Sequence, residues 1–133
     1  MAHVLVAEDN RDVADTLAML LQLDGHEVHV VDDGVKALSE ADRRLPDVVI
    51  LDIGLPSLDG IQVARRLRQR YRHAFRLIAH TACDDEDSRR KIRQAGFDEL
   101  VIKPAPIAEL LDAVGRAIRF RHPVRDRRKR RRP

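Results

Sequence analysis

At 133 residues, 44% of them hydrophobic and only one a cysteine, the chain has the size and composition of one compact soluble domain and cannot form an internal disulfide. No apolar run approaches the roughly 20 residues that span a bilayer, and the N-terminus lacks the zones of a signal peptide, so the expected location is the cytoplasm. The net charge of +3 averages two unlike parts: residues 116–133 carry nine Arg and one Lys against Asp126 alone, a net of +9, whereas the preceding 115 residues carry 15 basic and 21 acidic side chains, a net of −6.

In chain order, "HVLVA" (3–7) is a short β-branched and aliphatic run that reads as a first strand. Glu8 and Asp9 follow it, and Asn10 can cap a helix striped by Val13, Leu17, Leu20 and Leu21, with Gly25 where that helix should stop. "EVHVV" (27–31) reads as the second strand, and Val35, Leu38 and Ala41 stripe the second helix. "DVVIL" (47–51) is the third strand, and it runs straight into Asp52, a charge that is costly at a buried strand end unless it has partners or a task. Ile61, Ala64 and Leu67 mark the third helix, and "RLIAH" (76–80) the fourth strand, which leads to Thr81. Asp84 to Asp87 bring negative charge to the start of a fourth helix bearing Ile92 and Ala95 and closed by Gly96. "ELVIK" (99–103) is the fifth strand, with Lys103 at its end, and Ile107, Leu110, Leu111, Val114 and Ile118 stripe the fifth helix. Residues 1–120 therefore form the domain. Residues 121–133 have almost nothing to bury and read as a basic, disordered tail.

This (βα)5 order predicts an α/β fold, a doubly wound five-stranded parallel sheet with helices on both faces. Ligands of such folds bind beyond the carboxyl ends of the strands. Glu8, Asp9, Asp52, Thr81 and Lys103 all fall at that edge.

The set "AEDN", "LDIGLPSLDG", "HTA" and "IKPAP", in that order, resembles the receiver domain of two-component response regulators. The resemblance covers everything but the tail. It implies the flavodoxin-like strand order 2-1-3-4-5 and a stand-alone receiver whose Asp52 accepts a phosphoryl group from a sensor histidine kinase or histidine phosphotransfer protein. Mg2+ would be held by Glu8, Asp9, Asp52 and the backbone carbonyl of Gly54. Thr81, the backbone of Ala82 and Lys103 would bind the phosphoryl oxygens, and a partner-binding surface would switch toward a downstream protein. The chemistry agrees, because crowded carboxylates repel one another unless a cation sits among them, and a hard divalent ion prefers oxygen ligands. Lys103 adds a fixed positive charge and Thr81 a hydroxyl donor. The expected role is a signalling phosphoacceptor with self-phosphorylation and autodephosphorylation chemistry only, not an enzyme acting on an external substrate.

Each residue also has a plainer reading. Asp52 could cap a turn, Glu8 and Asp9 could favour a helix start, and Lys103 could be a solvated lysine; their conjunction at one edge is what argues for chemistry. Cys83 has no basic neighbour in sequence to activate it and reads as inert. The histidines, His80 included, read as packing or surface residues rather than phosphate carriers. Leu100 stands where many receivers carry an aromatic switch residue, which puts that half of the switch in question. Gly54 and Cys83 occupy positions that tune phosphoryl lifetime in the family. Two alternatives belong to other classes. One is a phosphatase of the haloacid dehalogenase type, against which Gly54 stands where a second aspartate would be needed. The other is a polyanion-binding tail on a scaffold body, with a weak, non-specific contact that falls with salt.

Overall fold

The computed structural model describes residues 1–119; the basic tail, expected to be disordered, lies outside the described residues. Five strands alternate with five helices: β1 (His3–Ala7), α1 (Arg11–Leu23), β2 (Glu27–Val31), α2 (Gly34–Arg43), β3 (Val48–Asp52), α3 (Gly60–Tyr71), β4 (Arg76–Thr81), α4 (Glu86–Ala95), β5 (Glu99–Ile102) and α5 (Ile107–Arg119). The strands form one parallel sheet in the order β2-β1-β3-β4-β5, as the resemblance implied. The helix starts follow the local sequence. Asn10 Oδ1 accepts the Val13 N–H, Asp85 caps α4 with Glu86 and Asp87 in its first turn, and Gly96 ends that helix at φ 102°, a conformation that favours glycine.

Alternation along the strands builds two cores. Leu5, Ala7, Val49, Leu51, Leu77 and Ala79 face α2, α3 and α4, whereas Val4, Val6, Val48, Ile50, Ile78 and Val101 face α1 and α5. Strand ends differ from the sequence expectation by one residue. β3 is shifted so that Asp52 is its last residue, β4 takes in Thr81, and β5 stops at Ile102, leaving Lys103 just beyond it. Asp47, expected in β3, instead accepts the His3 N–H through Oδ2 at 2.8 Å. Val35 was expected in the core and is 54% exposed. The buried stripe of α2 begins at Gly34 and continues through Ala37, Leu38 and Ala41, so Val35, one residue and about 100° further round, points outward.

At the amino-terminal end of the sheet, Arg68 of α3 ties four segments together. Its guanidinium donates to Gly96 O, Arg72 O, Phe75 O and Asp98 Oδ2 at 2.8–2.9 Å. Asp98 in turn accepts the Leu77 N–H. Removing the guanidinium takes a donor from three carbonyls and from Asp98 its nearest cation, leaving Asp98 the Leu77 N–H and Arg76 at 3.5 Å. Arg68→Ala is therefore expected to destabilise the domain by roughly 3–5 kcal/mol, read as a lower urea midpoint, with Arg68→Lys recovering part of the loss.

Candidate functional site

Strand parity sets up the carboxyl edge. Two residues beyond Val6, Ile50, Ile78 and Val101 stand Glu8, Asp52, His80 and Lys103, all of one parity on the α1/α5 face, with Lys103 one step further along because His80 pairs with Val101; Thr81 and Leu100 have the opposite parity, toward α4. Glu8, Asp52, His80 and Thr81 are all buried, and Asp9 is exposed. Glu8, Asp9 and Asp52 each present a carboxylate oxygen within 4.8 Å of the others. Lys103 Nζ lies 2.9 Å from Glu8 Oε1 and 3.2 Å from Asp52 Oδ2. Three carboxylates and one ammonium meet here, so at neutral pH the cluster lacks two positive charges.

Local bonds hold the acids in place. Asp52 Oδ1 accepts the Gly54 N–H at 3.1 Å, and Glu8 Oε2 accepts the Asn10 N–H at 3.1 Å, so the plainer turn and helix-start roles coexist with the cluster. Lys103 Nζ is aligned as a donor to Asp52 but not to Glu8; Glu8 Oε1 is buried with no aligned hydrogen-bond donor. That oxygen, paired with the Lys103 ammonium in an all-oxygen donor set short of two positive charges, fits a hard divalent cation.

The charges respond accordingly. Burial alone would raise the Glu8 pKa, but the adjoining His80 and Lys103 groups and the Asn10 N–H outweigh it and lower it to about 2. For Asp52, burial dominates; the Gly54 N–H opposes it, the Glu8 charge adds to it, and the pKa is raised. Burial works against the Lys103 charge too, yet the two carboxylates prevail and raise its pKa.

The remaining expected residues are placed as follows. Thr81 sits at the end of β4, and its Oγ1 accepts the Cys83 N–H at 3.2 Å. Ala82 is the exposed residue after it. Gly54 touches Asp52 through its N–H. Leu100 is half-buried against the core under α4. A cleft of about 470 Å³, lined in part by Glu8, Asp9, Arg11 and Lys36, opens beside the acids. Two positions escaped the sequence reading. His80 Nδ1 stands 3.6 Å from Glu8 Oε1, where a packing role was expected. Gly60 lies so close to β3 that a Cβ there would come 2.5 Å from Asp52 O, a backbone approach that only glycine permits.

The profile of the response regulator receiver domain matches residues 4–115. The chain belongs to this family. Among relatives of this receiver, the sensory transduction protein RegX3 of Mycobacterium tuberculosis is 39% identical over 119 residues, covering 90% of this chain and 52% of the relative. Response regulator MprA of Mycobacterium leprae is 33% identical over 121 residues, covering 91% and 53%. The chain thus spans about half the length of these relatives. A Francisella response regulator receiver domain superposes with a TM-score of 0.84 at 28% identity, covering 90% of this chain and 98% of that one. The receiver domain of a sensor histidine kinase from Pseudomonas aeruginosa, with a magnesium ion coordinated in its active-site cleft, gives a TM-score of 0.81 at 31% identity and covers the same shares, 90% and 98%. Among the described residues, no helix is long and apolar enough to cross a membrane.

Two outcomes follow from the geometry. Because the Asp52 pKa is raised in the fold, the folded state binds its proton more tightly than the unfolded state. Stability is therefore lost as pH rises from the ordinary 3.8 through the folded value. Asp52→Asn should raise the melting temperature at pH 7 in EDTA, and the gain should vanish as pH falls below about 3.8. Gly60→Ala should push the β3–α3 junction away from Asp52, read as displaced amide resonances at Asp52 and Ile53 with a loss of stability.

Proposed function

We propose that this receiver accepts a phosphoryl group on Asp52 from a phosphohistidine donor and passes the signal to a protein partner. The observation that carries this reading is the buried strand-end carboxylate of Asp52 held between the Lys103 ammonium and the Glu8–Asp9 pair. An Asp52 oxygen attacks phosphorus; the O–P bond forms as the N–P bond of the donor breaks, and the electron pair returns to the donor imidazole. Glu8, Asp9, Asp52 and the Gly54 carbonyl would hold Mg2+, as the magnesium-bound Pseudomonas neighbour supports. Bound there, the ion offsets the carboxylate repulsion and withdraws charge from the incoming phosphoryl oxygens.

Lys103, already a donor to Asp52, would pair with a phosphoryl oxygen, and the Thr81 hydroxyl and the Ala82 backbone would satisfy others once Thr81 releases the Cys83 N–H. The new group adds a charge of roughly −1.5 to −2. Of the flanking helices, α4 is the least anchored: only Ile92 and Ala95 are buried, both in its second half. Movement of Thr81 would therefore be transmitted along α4, β5 and α5, with Leu100 changing rotamer in place of an aromatic ring. The donor is a sensor histidine kinase or histidine phosphotransfer protein, the setting is the cytoplasm, and residues 1–120 form the receiver with the basic segment following it.

Incubation with a phosphorylated donor is expected to label the protein only when Mg2+ is present, with an acid-labile bond. Label that survives acid, persists in EDTA, or appears on Asp52→Asn would overturn the assignment.

A further inference from the structure

We propose that His80 is a positioning residue of this site, which orients the Glu8 carboxylate toward the cation and keeps it there when Lys103 turns to the phosphoryl group. The inference rests on the reading of Asp52 as phosphoacceptor and of the acidic cluster as a Mg2+ site. It is carried by three features of the edge.

The first is place. His80 pairs in register with Asp52 across the β3–β4 ladder, and its period-two parity puts it on the sheet face shared by Asp52 and Glu8, with Lys103 two residues beyond its β5 partner Val101. The residue is 4% exposed, so its nitrogen cannot exchange this neighbour freely for water.

The second is the state of Glu8. One oxygen, Oε2, is used by the Asn10 N–H. The other, Oε1, is buried and has no aligned donor, although two groups approach it: Lys103 Nζ at 2.9 Å and His80 Nδ1 at 3.6 Å. The imidazole is a few tenths of an ångström beyond an ordinary N–H···O bond, which spans roughly 2.7–3.2 Å. A small closure, with the proton on Nδ1, makes it a donor.

The third is the double duty of Lys103. The same ammonium lies against Glu8 Oε1 and Asp52 Oδ2. When it follows the phosphoryl group on Asp52, its hold on Glu8 weakens, and His80 is the other side chain with a nitrogen close to that oxygen among the described residues. Outer partners that fix a ligating carboxylate commonly change metal affinity 10- to 100-fold when removed.

The test uses the whole chain and Mg2+ alone, without phosphodonor. Calorimetric titration of wild type, His80→Leu and His80→Gln separates the roles. His80→Leu has no donor and is expected to weaken Mg2+ binding about 10- to 100-fold, whereas His80→Gln, which can reach Glu8 with an amide N–H, should stay within about threefold of wild type. Thermal melts in EDTA check that both variants fold. If His80→Leu is folded and binds Mg2+ as tightly as wild type, or if His80→Gln loses as much affinity as His80→Leu, the side chain only packs and the proposal falls. A wild-type chain that binds no Mg2+ overturns the cation reading and the His80 role together. Phosphotransfer to wild-type Asp52, measured separately, reports on the phosphoacceptor reading, and its failure alongside an intact His80 effect on Mg2+ affinity would remove only that reading.

Discussion

Three carboxylates brought to one end of a parallel sheet with a single ammonium among them are the constraint around which the carboxyl edge is organised. Buried charge of one sign is tolerated only where dipoles, hydrogen bonds or counter-charge offset it. Here the Asn10 and Gly54 N–H groups take one oxygen each from Glu8 and Asp52, Lys103 bridges the other two, and Asp9 stays in solvent. What is left over, two negative charges and one buried oxygen without an aligned donor, is an imbalance of the kind a hard divalent cation offsets. The opposed pKa directions of Glu8 and Asp52 express the same imbalance: the His80, Lys103 and Asn10 groups together outweigh the burial of Glu8, while for Asp52 burial and the Glu8 charge prevail over Gly54 and Lys103.

The fold meets this demand through a regular device, period-two alternation. Because every strand is parallel, residues two beyond the α1/α5 core positions share one face at the edge, Glu8, Asp52 and His80 side by side and Lys103 one step further, whereas Thr81, two beyond Ala79, has the opposite parity. Adjacent residues of one strand thereby serve opposite faces. His80 belongs to the row of the carboxylates and Thr81 to the face that α4 covers, although they adjoin in sequence.

The two ends of the sheet are held differently. At the amino-terminal end, Arg68 satisfies three backbone carbonyls and Asp98, and so secures the end of α3, the C-terminal cap of α4 and the approach to β5. At the carboxyl end, the first half of α4 buries nothing. The difference in anchoring leaves α4 secured where it ends and with few buried contacts where it begins, beside the acidic cluster.

Local chemistry determined much of this protein. The five aliphatic runs, the Asn10 cap, the Gly96 stop and the strand-end positions of Glu8, Asp9, Asp52, Thr81 and Lys103 are all legible in the sequence, because strand and helix periods and capping preferences act over a few residues. The strand order came from resemblance, and the ladders bear it out. Tertiary structure decided the rest. That His80 meets Glu8, 72 positions away, depends on β1, β3 and β4 lying side by side in one register. That Arg68 spans to Gly96 and Asp98, and that Gly60 must lack a side chain beside Asp52, depends on how α3 seats against the sheet. The stripe of α2 was misread because a glycine, Gly34, holds the buried position that apolar periodicity assigned to Val35. Such facts arise from close approach between segments distant in sequence, and the residues involved carry no local pattern that announces it.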